Sequence, residues 1–354
     1  MTRSLDDVAL FRALPQVGRQ VPWVRLGDWP TPVERLDLEG EVWVKREDLT
    51  APGYGGNKVR TLEAMFGRAR AAGAKRMWAT GAYGSNHAVA SVLHAHEAQL
   101  ESGAILFSQP ASEPALANAS ALLSVRPEVI GLASVIQLPF AMARVRRRGD
   151  AYVMPPGGAT PEGALGAMSA AFELAAQHAA GALPWPRRVV VAVGSGCTTA
   201  GLLAGFHLAH ELGLAPSAPR LTSVRVTPWP VTSRLRLANL AHATLALVDH
   251  LRGASSATTF AQLVAALSVD GRFLGKGYGR ATSAGARTTE TMRAAGAPAL
   301  DAVYTAKSAA AFLQLDRTDG PIIFWATKSS TRLPRATDDD IAAAPAAMRA
   351  WLGR

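Results

Sequence analysis

The sequence predicts an α/β fold in which helices cover mainly parallel sheets. Three observations carry this. Residues 189–193 are four valines around Ala192, and an unbroken apolar run of that length fits a strand buried on both faces. Short apolar runs, polar or glycine-bearing turns and helix-periodic segments alternate along the chain, which is the order of strand–helix units. Nearly half the residues are apolar (49%) and only 6% are aromatic, which favours helices packed closely on sheets over two stacked β layers. The 354 residues suffice for two domains.

Taken in order, residues 41–45 read as a short strand before Arg46-Glu47-Asp48, and residues 51–57 as a Gly/Pro loop. Leu62, Met65, Phe66 and Ala69 then recur at helical spacing, with Gly73 as the stop. Residues 77–80 form a short buried strand that runs into the turn 81–87, and an Ala-rich helix follows. Residues 104–107 are another apolar run. Met154-Pro155-Pro156-Gly157-Gly158 reads as a crossover between domains. Residues 189–193 form a central strand, 221–227 a further one, and 322–325 the last. From Leu333 onward the chain reads as surface segments and a short final helix.

Composition excludes several classes. The formal net charge is +10, but the basic residues are scattered and mostly Arg. The longest run, Arg146-Arg147-Arg148, has no interleaved aromatics, so nucleic acid is not the expected partner. One cysteine, Cys197, rules out an internal disulfide and fits a reducing compartment. Residues 1–14 carry Asp6 and Asp7 and no apolar core of signal-peptide length. Residues 189–210 lack a formal charge, but Gly194-Ser195-Gly196-Cys197-Thr198-Thr199 in their middle argues for strand, turn and helix, not a membrane span. A cytoplasmic protein is expected. His94 and His96 do not share a helix face. His207 and His210 can share one, but no carboxylate or cysteine set completes a site, and no metal is expected.

Three segments carry chemistry. Lys58 follows Gly55-Gly56-Asn57 at the mouth of a helix. The positive helix end favours a neutral amine, the form that Schiff-base chemistry requires. Most lysines that open helices are simply solvated. Ser85-Asn86-His87 ends a turn before a helix, where free amides favour an anion and where Ser or Asn is also an ordinary cap. Residues 189–201 join a strand, a glycine-bearing turn and a helix start, which makes a phosphate cradle. No Gly-Lys-Ser/Thr follows, as a nucleotide P-loop requires. Thr199 stands where a dinucleotide fingerprint needs its third glycine. One phosphate fits better than a nucleotide. Cys197 reads as a small residue in a tight turn, or as a nucleophile.

In this order the three segments resemble pyridoxal-phosphate (PLP) enzymes of the tryptophan-synthase-like fold. Among them the likeness is to the D-cysteine desulfhydrase and 1-aminocyclopropane-1-carboxylate deaminase family. Lys45-Arg46-Glu47-Asp48-Leu49 and Gly55-Gly56-Asn57-Lys58-Val59-Arg60 resemble its lysine segment. Gly277-Tyr278-Gly279, residues 303–308 and Phe324-Trp325-Ala326-Thr327 resemble its later motifs. The resemblance implies two open twisted, mainly parallel sheets with the cofactor in the cleft between two domains. The smaller would span residues 62–150, and the larger residues 1–61 plus 151–354.

The resemblance also implies roles. Lys58 would form the internal aldimine. Asn57 would belong to the cofactor site, and Asn86 would bond the cofactor's phenolic oxygen. Gly194, Ser195, Gly196, Cys197, Thr198 and Thr199 would hold the phosphate, chiefly through backbone amides. Tyr304 would stack near the pyridine ring and Thr305 would meet its nitrogen. Ser85, His87, Tyr278 and Thr327 would face the substrate, with Ser85 and Tyr278 catalytic. The implied activity is α,β-elimination from a small, D-configured amino acid to a keto acid and ammonia, by a homodimer. The alternatives are β-replacement, dehydration of a bulkier β-hydroxy amino acid, or PLP binding without catalysis. Cys197, Thr199, Thr61 and Ala326-Thr327-Lys328-Ser329 depart from the family pattern and bear on the substrate.

Overall fold

The computed structural model describes residues 4–317 and 320–353. In chain order the strands are β1 (Val33–Arg35), β2 (Val42–Lys45), β3 (Arg76–Ala82), β4 (Glu101–Phe107) and β5 (Glu128–Leu132). There follow β6 (Ala151–Val153), β7 (Arg188–Val193), β8 (Arg220–Arg225), β9 (Leu267–Asp270) and β10 (Ile322–Trp325). Among the described residues they form a six-stranded sheet, β1-β2-β10-β7-β8-β9, and a four-stranded sheet, β5-β4-β3-β6. Every pairing is parallel except β1 with β2. The chain is therefore α/β with two mainly parallel sheets, as expected.

The valine run forms β7 because both of its faces are buried. Val189, Val191 and Val193 share one core with Ile323 and Trp325. Val190 points the other way, into a core with Ile322, Phe324 and Val224. This is the two-residue alternation of a strand, apolar on both sides. Helices Pro161–Ala179 and Cys197–Glu211 cover the first face through Leu165, Met168, Leu203 and Phe206. Helix Thr305–Leu313 covers the second through Ala309 and Phe312. Around the smaller sheet, helices Lys58–Ala71, Asn86–His94 and Glu113–Leu123 contribute to one core, and helix Leu138–Arg146 to the other.

Several expected elements differ in extent. β3 runs on to Ala82 because Gly81 and Ala82 still pair with Leu106 and Phe107 of β4. The strand expected over 221–227 ends at Arg225, and Thr227 lines a cavity instead. Residues 189–210 are strand, turn and helix. Among the described residues no helix is long and apolar enough to cross a membrane. Residues 154–158 carry the chain from β6 to helix Pro161–Ala179, from one sheet to the other.

The C-terminal segment was expected at the surface and is not confined to it. Helix Ala346–Trp351 forms, and Ala344 and Met348 enter the core that contains Ala119 and Leu122. The Trp351 ring lies 5.2 Å from that of Tyr83, and its indole N–H donates to Gln109 O at 2.6 Å. An apolar surface offered by the smaller sheet is thus covered by the end of the chain.

Candidate active site

The carboxyl ends of β3 and β7 open onto one cavity of about 500 Å³, within the size range of small-molecule sites. Parallel sheets place ligands at this end because helix N-termini gather there. Asn57, Lys58, Ser85, Asn86, His87 and Thr327 line it. So do residues 194–199, Tyr278 and Tyr304. Of the residues given a cofactor or substrate role from the sequence, Thr305 alone does not.

Lys58 is the first residue of helix Lys58–Ala71. Burial pushes its amine below the usual lysine range, and the nearby Cys197 offsets this only in part. A neutral amine is a nucleophile and a base. The loop before it is held by the 327–329 segment. Gly55 N donates to Ser329 Oγ at 3.0 Å, and Asn57 N donates to Thr327 O at 3.1 Å. Asn57 Nδ2 donates to Thr198 Oγ1 at 2.7 Å, tying this loop to the next.

That next loop is built to receive an anion. Gly196 precedes helix Cys197–Glu211 with φ +96°, and no side chain caps the helix start. The first amides of a helix have no partner within it, so here they remain donors toward the cavity. Ser195 Oγ is buried and has no partner among the described residues. A Cβ on Gly194 would lie 3.2 Å from Tyr304 Cε1, so glycine there lets the ring close over the turn. Uncapped amides and an orphaned hydroxyl fit a phosphate group, and a buried lysine of lowered pKa on the same cavity fits an aldehyde cofactor.

A cation missed in the sequence stands at this loop. Arg236 lines the cavity, and its Nη1 donates to Ser195 O at 3.0 Å and Val231 O at 2.7 Å. The absence of Lys and Arg within the loop therefore understated its positive potential. Cys197 is a structural donor: its thiol reaches Gly158 O at 3.2 Å, and burial holds it protonated by pushing its pKa up. Thr199 Oγ1 meets Ser223 Oγ at 3.0 Å.

On the opposite side, Ser85 caps helix Asn86–His94 by accepting from Ala88 N at 3.3 Å. Asn86 Oδ1 accepts from Asn118 Nδ2 at 2.7 Å and from Lys328 Nζ at 3.0 Å. Both ring nitrogens of His87 are buried and, among the described residues, without partners. Burial and Lys58 hold its pKa down at about 3, so the ring is neutral. The Tyr278 and Tyr304 hydroxyls meet at 2.9 Å, and burial raises both phenol pKa values.

Thr305 is engaged within its own segment. It was expected to meet a ring nitrogen, but its hydroxyl donates to Asp301 Oδ2 at 2.8 Å. The Asp301 carboxylate also accepts from the amides of Val303, Tyr304 and Thr305. A nearer acceptor four residues back has taken the side chain. The histidines set aside in the sequence include a packed one: His94 Nε2 lies 2.7 Å from Tyr54 O and Nδ1 3.0 Å from Glu97 Oε1.

Behind Lys58 lies a buried ionic cluster. Arg60 pairs with Glu47 at 2.7 Å and Glu173 at 3.0 Å, and Lys45 pairs with Glu173. The Arg60 guanidinium also stacks 3.8 Å from the Trp29 ring centroid. This cluster fixes the helix that begins with Lys58.

Comparison with known proteins places these features. A family profile described as "Pyridoxal-phosphate dependent enzyme" matches residues 24–320. The chain is 31% identical to nocardicin C-9′ epimerase of Nocardia uniformis subsp. tsuyamanensis over 324 residues, 88% of this chain and 93% of that protein. It is 30% identical to D-cysteine desulfhydrase of Salmonella paratyphi C over 332 residues, 88% and 95% of the two chains. A putative 1-aminocyclopropane-1-carboxylate deaminase of Pyrococcus horikoshii is 34% identical over 202 residues, 54% of this chain and 60% of that protein. Among solved structures, an ACC deaminase homologue superposes with TM-score 0.75 at 27% identity, over 92% of this chain and 96% of that one.

Proposed function

This chain belongs to the pyridoxal-phosphate-dependent enzyme family, and from that membership we propose that it eliminates the β substituent of a small D-amino acid. The products would be a keto acid and ammonia, with sulfide when the substrate is cysteine. The carrying observation is that one cavity brings together Lys58, the uncapped helix start after Gly196, and the Tyr278–Tyr304 pair.

Bound pyridoxal phosphate supplies the electron sink that makes an amino acid's α-proton acidic. Lys58 would hold the cofactor, and its Nζ, whose pKa burial lowers, would take that proton. Residues 196–199 and Ser195 Oγ would hold the phosphate, with Arg236 bracing the turn. Asn86 would meet the phenolic oxygen. Tyr304 would pack beside the ring, and Tyr278, whose phenol burial keeps protonated, would give a proton to the departing group. Ser85 is the second proton carrier, while His87 and Thr327 face the substrate. A smaller domain of residues 62–150, a homodimer and a cytoplasmic setting belong to the same proposal.

A second possibility has its own support. Phe107, Val135, Pro156, Pro228 and Val231 give the cavity an apolar wall, which suits a substrate bulkier than cysteine. The likeness to an epimerase spans 88% of the chain. Dehydration of a bulkier β-hydroxy amino acid, or return of the α-proton with inversion, would use the same first step. The deciding experiment is turnover of D-cysteine, D-serine and bulkier β-substituted D-amino acids in D₂O, with L-forms as controls. Pyruvate from D-cysteine supports elimination. Inverted, α-deuterated amino acid without keto acid would replace it with epimerisation. No reaction at full cofactor occupancy would reject both.

A further inference from the structure

Lys328 stands in the 326–329 segment where this chain departs from its family's pattern, and its ammonium does not enter the cavity wall. It donates to three neutral oxygens: Tyr54 hydroxyl at 3.2 Å, Asn86 Oδ1 at 3.0 Å and Asn118 Oδ1 at 3.3 Å. It also lies 5.3 Å from the Tyr54 ring centroid. Among the described residues no carboxylate pairs with it, so its charge is not cancelled locally.

Hydrogen-bond direction fixes both amides. Asn118 Nδ2 donates to Gly84 O at 2.9 Å and to Asn86 Oδ1 at 2.7 Å. Its Oδ1 is thereby turned to Lys328. Asn86 Oδ1 thus receives two donors, one of them charged. Its Nδ2 has no protein acceptor among the described residues, and Asn86 lines the cavity. The backbone of Lys328 also bridges Gly56, in the loop that presents Lys58.

We propose that Lys328 is a positioning residue. It locks the Asn86 carboxamide with its N–H bonds toward the cavity, and it places a positive charge behind that donor. This rests on Asn86 facing the cofactor's phenolic oxygen. A cation there opposes protonation of the nitrogen that links cofactor to lysine, because the protonated linkage carries added positive charge. Of the other titratable groups on the cavity, burial raises Cys197, Tyr278 and Tyr304 above their ordinary ranges, and burial with Lys58 holds His87 down at about 3, so none of them adds charge near pH 7. Arg236 is the other basic side chain on the cavity. Tyr54 faces Lys328 directly.

The test is a pH titration of the visible absorption band of the purified holoenzyme without substrate. Lys328→Met should raise the midpoint by about one pH unit, and Lys328→Arg should stay within a few tenths of wild type. Asn118→Asp, which sets a carboxylate against Lys328, should raise it as well and serves if Lys328→Met does not fold. A wild-type midpoint in Lys328→Met, or in Asn118→Asp if that is the variant available, would overturn the proposal. No visible band in the wild type itself would instead reject Lys58 and this cavity as the cofactor site.

Discussion

The hydroxyls of Tyr278 and Tyr304 meet at 2.9 Å, with their rings edge to face at 6.2 Å. Each phenol is thereby held by the other, and burial keeps both protonated beyond the usual tyrosine range. Tyr278→Phe should keep its cofactor and lose turnover by roughly 10²-fold, the scale of a lost proton donor. Since neither phenol ionises in the working range, the pH profile should keep its shape in the variant. Steady-state kinetics with D-cysteine from pH 6 to 9 checks both points, and a full rate in Tyr278→Phe would remove the residue from the chemistry.

Borohydride reduction followed by peptide mapping should leave the pyridoxyl group on Lys58. Other buried lysines are engaged elsewhere: Lys45 with Glu173, and Lys307 Nζ with Leu274 O at 2.9 Å. A label on Lys45, Lys307 or Lys328 would refute the assignment.

Arg236→Met should weaken cofactor binding by about tenfold, the scale of one charge-assisted interaction. Gly196→Asp should abolish retention. It adds a carboxylate to an anion site, and its Cβ would stand 2.3 Å from Leu237 Cδ2 at a φ of +96°. Equilibrium dialysis reads both, and unchanged affinity in the pair would place the phosphate elsewhere.

Glu173→Gln should destabilise the fold by about 3–5 kcal/mol at pH 7, because it leaves Lys45 and Arg60 short of a buried counter-charge. Burial alone would raise the Glu173 pKa, but Arg60 and Lys45 outweigh it and hold it at about 2. A carboxyl lowered on folding stabilises above its unfolded pKa, and the gain fades as pH falls toward the folded value. The gap between wild type and variant should therefore narrow from about pH 5 to pH 2. Denaturant melts across that range test this, and a constant gap would contradict it.

What was legible in the sequence was local. The valine run read as a strand because both of its faces are buried. Lys58 and residues 194–199 read as a site because short glycine loops carry their geometry within a few residues. Arg236 did not, since it reaches Ser195 across 41 positions. Glu173 was equally hidden, meeting Lys45 from 128 residues away. β6 has three residues and β5 is only half-buried, so neither shows a strong apolar pattern. For Thr305, likeness alone supplied the expected role. Asp301, four residues earlier, was the available signal that the hydroxyl had a closer acceptor.

β10 lies between β2 and β7, so the middle of the larger sheet is filled by a strand that follows all the other described strands in the sequence. Until residue 325 has left the ribosome, β2 and β7 each present an unpaired edge, and those edges are open to pairing with other chains. The smaller sheet has all of its strands by residue 153. Two halves of one polypeptide thus mature on different clocks, and a chain cut between β9 and β10 should be recoverable by adding the missing C-terminal fragment in trans. The cost of such long-range closure is slow folding, and nascent chains stalled in that interval are the ones a chaperone would be expected to hold.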